Sequence, residues 1–478
     1  MNACYVTTSI PYVNARPHVG FALELAQADV IARWRRLKGQ DTFFLTGTDD
    51  NAIKNVQVAA REGITPRELC DRNAVFYRRL AGALNASVGH FIRTSSDAHH
   101  QGASRFWAAC RKEDIYLKRY QGLYCVGCED FYLEKDLQDG RCPIHGTQPE
   151  TVKEQNYFFR LSDYQDRLEG LIVSGKLRIL PEARRNETLG FIRQGLRDFS
   201  ISRIRERSGG WGVSAPDDPS QILYVWFDAL TNYLTGLGYG QNGEGFRRYW
   251  LGSPQKTHVI GKDILRFHTI YWPAMLLSAG LPLPETVLVH GFLTVDGQKI
   301  SKSLGNAVDP FPIIEQYGAD ALRYYLLRAI PSGLDGDFSE GRFREIYTAD
   351  LANGLGNLVR RLEVLCERSG YRVQGKPCCA LPAGIEEAVE DFQFHTALQI
   401  LWDRVRCLNR EIEAVRPWDL LKADQNAELT RHLWAWVRDI RTLARALSPF
   451  LPETAEKILA QFSPGRVAPG EPLFPRLA

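Results

Sequence analysis

Residues 3–46, ACYVTTSIPYVNARPHVGFALELAQADVIARWRRLKGQDTFFLT, decide the fold. Ala3 to Thr8 is a short β-prone run, and Ser9 to His18 is a loop punctuated by Pro11, Asn14 and Pro17. Val19 to Leu37 then carries Val19, Leu23, Ala26, Val30, Trp34 and Leu37 at helical spacing. Gly39 stops that helix, and Thr42 to Thr46 reads as the next buried strand. A strand, a crossover helix and a second strand imply a parallel sheet. The chain is therefore predicted to open on a doubly wound, Rossmann-type α/β domain.

At 478 residues the chain is too long for one hydrophobic core, and roughly 150 residues per domain suggests about three domains. Hydrophobic residues make up 44% and charged residues 24%, with a formal net charge of +3. That balance excludes a polybasic nucleic-acid coat and an acidic disordered tail, while a nucleic acid could still be met through a local patch. Ten cysteines in this length are too sparse for a disulfide scaffold. The first residues lack a basic segment followed by an apolar core, and no run approaches 18 apolar residues. Neither a signal peptide nor a transmembrane helix is expected, which points to a cytoplasmic enzyme.

Downstream, the βα rhythm breaks between residues 115 and 205, where cysteines cluster and Gln138-Asp139-Gly140-Arg141 has no helical period. This stretch is read as an insertion in the α/β domain, whose first half is 1–114 and whose second half is 206–290. The sheet is expected to resume with Ile222-Leu223-Tyr224-Val225-Trp226 and to continue with Thr257–Ile260 and Thr286–Val289. An apolar helix from about Ile270 to Leu277 precedes the last of these. A connecting region, 291–345, leads to an all-α domain over 346–478. There, Leu401, Val405, Leu408 and Ile412 form one helical stripe; Leu433, Val437, Ile440 and Leu447 form another.

Cys125-Val126-Gly127-Cys128 is followed, after 13 residues, by Cys142-Pro143-Ile144-His145. Two pairs spaced C-x2-C and C-x2-H suit a tetrahedral Cys3His zinc site, and four protein ligands make it structural rather than catalytic. Four ligands in so short a span are hard to explain as unrelated buried thiols. Pro17-His18-Val19-Gly20-Phe21 lies where the first loop enters its helix, so backbone N–H groups and His18 could meet a phosphate there. A lone histidine of this kind more often caps a turn. Asp296-Gly297-Gln298-Lys299-Ile300-Ser301-Lys302-Ser303-Leu304-Gly305-Asn306 is a glycine-flanked loop with two lysines three apart. It suits charge that develops on a triphosphate as pyrophosphate leaves, or it is a solvated surface loop.

Together, HVGF at 18–21 and KISKS at 299–303 resemble the HIGH and KMSKS signatures of class I aminoacyl-tRNA synthetases. The resemblance narrows to the methionyl-tRNA synthetase family through Ile10-Pro11-Tyr12-Val13-Asn14, Thr46-Gly47-Thr48-Asp49, Tyr224 to Leu230 and Ile260 to Ile264 with Phe267-His268 and Trp272-Pro273-Ala274. In the tail, Asn353 to Arg361 and Arg416 to Lys422 look like that family's anticodon-binding helices. Relatives with editing domains carry a far larger insertion than the roughly 90 residues here.

The resemblance implies ATP-dependent activation of methionine and its transfer to tRNA(Met), with Mg accompanying ATP and one structural Zn on Cys125, Cys128, Cys142 and His145. It implies that Asp49 pairs with the substrate ammonium. Ile10, Tyr12, Trp226, Ala229 and Tyr233, with Ile264, His268 and Trp272, would form an aromatic pocket suited to a soft thioether. Spacing alone favours core packing for the tryptophans. Gly20, Glu24, Gly261, Asp263 and Ser301 would serve ATP, while His18, Lys299 and Lys302 would hold its phosphates. Arg203 would contact the reacting carboxylate. Asn357, Arg361 and Trp418 would read the anticodon, Trp418 by stacking on a base; otherwise they are helix-surface residues and a core tryptophan. Residues 291–345 would then carry the KMSKS loop and stem contacts.

Two stretches depart from the family pattern. Phe21 stands where the first signature ends in His, and the family's TGTDEHG runs here as Thr46-Gly47-Thr48-Asp49-Asp50-Asn51-Ala52. A divergent paralogue charging another acceptor, or a non-catalytic tRNA-binding protein, therefore stands beside the main reading. No oligonucleotide-binding module is expected after the helical tail, and a monomer without membrane contact is expected.

Overall fold

The computed structural model describes residues 3–125, 130–132, 134–143, 146–299, 306–375 and 381–476, with backbone alone for 130, 131 and 299. The chain forms two compact units: Met1–Pro17, Gly39–Arg79 and Val88–Val289 make one, and His18–Lys38, Leu80–Ser87 and His290–Ala478 the other.

The first unit is built on a six-stranded sheet. Its strands are Ala3–Thr8 (β1), Asp41–Thr48 (β2), His90–Arg93 (β3), Arg178–Leu180 (β4), Gln255–Gly261 (β5) and Thr286–His290 (β6). Their order across the sheet is β3-β2-β1-β5-β6-β4. Strand β1 pairs in parallel with both neighbours, Val6 standing opposite Phe44 and Thr257. All six residues of β1 are buried, as a central strand covered on both faces requires. The order reverses between β1 and β5, so the loops leaving those two strands diverge. In doubly wound sheets that crevice, beyond the carboxyl ends of the strands, is where ligands bind.

Residues 115–205 carry a second sheet, in which Ile115–Cys125 lies between Asp130–Tyr132 and Glu150–Phe159. Asp139 and Gly140, with φ of +50° and +70°, close the Gln138–Arg141 turn. One piece of this region rejoins the main sheet, since β4 pairs with β6.

The expectation for 222–226 is overturned. Asp218–Leu223 is a strand, but of a separate antiparallel sheet with Ser202–Ile204 and Ser214–Ala215, and Val225–Leu230 is a helix. A short apolar run has no period that distinguishes a buried strand from a buried helical turn. Here its first half finds partners nearby in sequence, and its second half turns helical.

The second unit is mostly helical. Helix Val19–Leu37 has the bounds expected of it. The two stripes lie on Phe394–Val415 and Asn426–Leu447, and every residue in them is buried. Arg323, fully buried, pins the unit internally: it lies 2.7 Å from Asp29 and donates to the carbonyls of Leu84, Pro449 and Phe450. Burial alone would raise the Asp29 pKa, but Arg323, Arg33 and hydrogen bonds from Ser87 hold it below the ordinary carboxylate value. Among the described residues no helix is long and apolar enough to cross a membrane.

Candidate active site

The loop leaving β1 carries Ile10 and Tyr12, and β2 ends beside it: Asp49 N–H donates to Pro11 O at 2.9 Å, and Tyr12 and Asp49 form a parallel bridge. From the other side of the switch point, β5 ends at Gly261 and passes through a single turn, Lys262–Ile264, that holds Asp263 and Ile264. The next turns bring His268 and Trp272.

These residues meet as one aromatic group. Ring centroids of Tyr12 and Trp226 are 6.4 Å apart, those of Trp226 and His268 also 6.4 Å, and those of Tyr233 and Trp272 6.0 Å. Trp226 stacks on Phe267 at 3.8 Å, a partner the sequence reading did not assign. Ala229, Tyr233, His268 and Trp272 are buried, whereas Ile10, Tyr12, Trp226 and Ile264 are half-buried. His268 Nδ1 lies 3.0 Å from Ile264 O and Nε2 2.7 Å from Tyr233 OH. A carbonyl only accepts, so in the neutral ring Nδ1 carries the proton and Tyr233 donates to Nε2. Behind Tyr233, burial, together with His268 and Lys256, pushes His258 well below the usual histidine value, so the His258 ring is neutral. The walls are largely aromatic and polarizable, with Lys54 Nζ 5.3 Å from the centroid of the Tyr12 ring.

Two adjacent acids behave differently. Asp50 accepts from Thr48 and Ser95 and pairs with Arg93 at 2.7 Å, which occupies it structurally. Asp49 Oδ1 receives the Asn51 N–H at 3.1 Å and the Thr94 hydroxyl at 3.4 Å, both neutral donors. Asn51 extends its amide to Asp228 Oδ2 at 2.7 Å. Asp228 and its other partner, His99, escaped the sequence reading because nothing in their spacing joins them. Arg203 is buried, donates to Ser200 Oγ and Ser202 O, and lies over the Tyr224 ring at 4.2 Å.

In the second unit, His18 caps helix Val19–Leu37, its Nδ1 accepting the Gly20 N–H at 3.0 Å. The neutral ring then carries its proton on Nε2. A Cβ at residue 20 would lie 2.7 Å from His18 Cε1, so this cap requires glycine. Phe21 is buried. Glu24 is also buried, its Oε2 2.9 Å from His290 Nε2, while His290 Nδ1 lies 2.8 Å from Gly291 O. Gln298–Lys299 forms a hairpin with Leu293–Val295 through Asp296 and Gly297, both at positive φ. Ser301 and Lys302 lie outside the described residues. On the tail, Asn357 and Arg361 sit one turn apart on helix Asn357–Ser369. Arg361 pairs with Glu413 and lies 5.8 Å from the ring of Trp418, which is 36% exposed rather than in the core.

For the metal site, Cys128 and His145 lie outside the described residues. Cys125 and Cys142 are buried and in no disulfide, each near a hydroxyl: Thr147 Oγ1 at 3.7 Å and Tyr132 OH at 3.8 Å. Cys142 N–H donates to Thr147 O and Gly146 N–H to Cys142 O, closing a tight turn. Among the described residues no three His, Cys, Asp or Glu side chains converge as metal ligands.

Similarity to known proteins points to one family. The family profile "tRNA synthetases class I (M)" matches residues 4–136 and 132–363. The chain is 43% identical over 473 residues to the methionine--tRNA ligase of Brucella suis biovar 1 (strain 1330), covering 95% of this chain and 90% of that one. It is 42% identical over 477 residues to the methionine--tRNA ligase of Thermosynechococcus vestitus, covering 95% and 89%. Among solved structures it resembles Mycobacterium tuberculosis methionyl-tRNA synthetase in complex with methionyl-adenylate, at a TM-score of 0.91 and 39% identity over 100% of both chains. The free-state structure of that protein gives 0.83 and 38%, covering 100% of this chain and 99% of that one.

Proposed function

The chain belongs to the methionyl family of class I tRNA synthetases, and from that premise we propose how its residues divide the work. It is a methionine--tRNA ligase, an ATP-dependent enzyme. The observation that carries the assignment of residues is the aromatic group of Tyr12, Trp226, Tyr233, His268 and Trp272 with the Asp49 carboxylate beside Tyr12. Such a group takes the thioether at its buried end and the ammonium at Asp49, with Ile10, Ala229 and Ile264 completing the apolar wall.

In the first step a methionine carboxylate oxygen attacks the α-phosphorus of ATP, and the bond to the β-phosphate oxygen breaks as pyrophosphate leaves. Magnesium bound to ATP supplies neutralising charge on the phosphates. No protein nucleophile is required, so catalysis is positioning and electrostatic stabilisation. Arg203 orients the carboxylate. His18 donates from Nε2 to a phosphate oxygen, Lys299 and Lys302 counter the charge growing on pyrophosphate, and Gly20, Glu24, Gly261, Asp263 and Ser301 hold the rest of the nucleotide. In the second step the terminal 2′-hydroxyl of tRNA(Met) attacks the carbonyl carbon, loses its proton and expels AMP. Asn357, Arg361 and Trp418 read the anticodon, an indole face stacking on an unpaired base.

The division of labour is 1–114 and 206–290 for catalysis, 115–205 for the knuckle, 291–345 for the KMSKS loop and stem contacts, and 346–478 for the anticodon. A structural zinc on Cys125, Cys128, Cys142 and His145 would fix the knuckle. All these residues come from one chain, which suits a monomer, and the substrates suit the cytoplasm. Charging of tRNA(Met) with labelled methionine tests the reading. Acid-precipitable methionyl-tRNA is expected, and tRNA binding with no charging would overturn it.

A further inference from the structure

Behind Asp49 runs a buried polar line that neither catalytic step uses. The Asn51 backbone N–H holds Asp49 Oδ1 at 3.1 Å, while the Asn51 amide donates to Thr94 O at 3.0 Å and to Asp228 Oδ2 at 2.7 Å. Asp228 Oδ1 lies 2.6 Å from His99 Nε2, and His99 Nδ1 lies 2.7 Å from Thr235 Oγ1. Asp49, Asn51, Asp228, His99 and Thr235 are all buried, His99 completely. The far end is tightly registered: a Cβ on Gly102 would come within 2.3 Å of Thr235 Cγ2, so only glycine lets the helix carrying His99 approach Thr235 this closely.

We propose that His99 is a positioning residue for the amino-acid subsite, acting through Asp228 and Asn51 on Asp49; this rests on the reading of Asp49 as the ammonium ligand. A buried carboxylate is stable only while its donors are in place. Asp228 has two described donors, His99 on one oxygen and Asn51 on the other. Removing the first leaves Asp228 to draw on the second, and the main chain of Asn51, a donor to Asp49 Oδ1, helps orient Asp49. Asn51 stands where the family signature carries His. Its amide has two N–H groups, so one side chain clamps Thr94 O and Asp228 together.

The test is a series at residue 99, read as separate KM values for methionine and ATP in pyrophosphate exchange. Gln reproduces the reach of Nε2, whereas Asn reproduces only that of Nδ1. His99→Gln should keep the methionine KM near that of the parent chain, while His99→Asn and His99→Ala should raise it about tenfold with the ATP KM unmoved. Equal effects of all three, or an ATP KM rising in step, would overturn the proposal. If the His99 variants fail to fold, Thr235→Val decides: a raised methionine KM supports the line and an unchanged one ends it. Asp49→Asn separates the two readings. A flat His99 series beside a defective Asp49→Asn removes only the relay, whereas an unaffected Asp49→Asn removes the ammonium assignment itself.

Discussion

A Cβ on residue 20 would touch the His18 ring at 2.7 Å, so the histidine and glycine of this turn act as one device. The turn fixes Nδ1 as an acceptor and thereby leaves the proton on Nε2, the atom assigned to a phosphate. Phe21 follows immediately and can neither donate nor carry charge. A charge-assisted contact of the kind His would make contributes about 1.5–3 kcal/mol, roughly ten- to a hundredfold in rate. Phe21→His is therefore expected to speed adenylation by that order, measured as kcat of pyrophosphate exchange. An unchanged or slower rate would mean that the site is built around the phenyl ring. The second departure behaves differently, because Asn51 supplies the hydrogen bonds its position needs.

At the scale of elements, long periodic stretches were legible and short ones were not. Helix Val19–Leu37 and both tail stripes have enough turns for their apolar spacing to be unambiguous. Ile222–Trp226 was misread because its apolar run is too short to show a period. Arg178–Leu180 was missed because three residues carry no pattern, and its place in the sheet is set by pairing with Thr286–Leu288. Trp418 illustrates the converse. The alternative to the stacking role places it in the core, yet the helix Pro417–Lys422 leaves the indole 36% exposed beside Arg361. Trp418→Ala should raise the tRNA KM of aminoacylation by an amount matching one lost stack, about 1–3 kcal/mol. A loss equally large in pyrophosphate exchange, which uses no tRNA, would contradict the anticodon role. For the knuckle, one zinc per chain is expected by elemental analysis, with Cys142→Ser lowering both metal content and the melting temperature. Full stability without metal would remove the structural zinc.

At the scale of the whole molecule, the buried Asp29–Arg323 pair ties the first long helix to the tail of its unit. Breaking such a pair from one side costs about 3–5 kcal/mol, and Arg33 remains beside Asp29, so Arg323→Met should fall near the lower end in urea unfolding. Because the Asp29 pKa is lowered on folding, its contribution is present above the ordinary carboxylate range and fades as pH falls through the depressed value. Asp29→Asn should therefore flatten the acid-side loss of stability; a slope equal to the parent's would contradict the pairing. Neither residue was legible as a partner, since 294 positions separate them and only the fold joins them. The same holds in the site, where Asp50 is held by Arg93, Ser95 and Thr48, partners that only the fold brings to it. ATP–pyrophosphate exchange across the twenty amino acids tests the central claim most directly. The account predicts exchange driven by methionine, with a methionine KM that rises in Asp49→Asn. Exchange with another amino acid and none with methionine would contradict it.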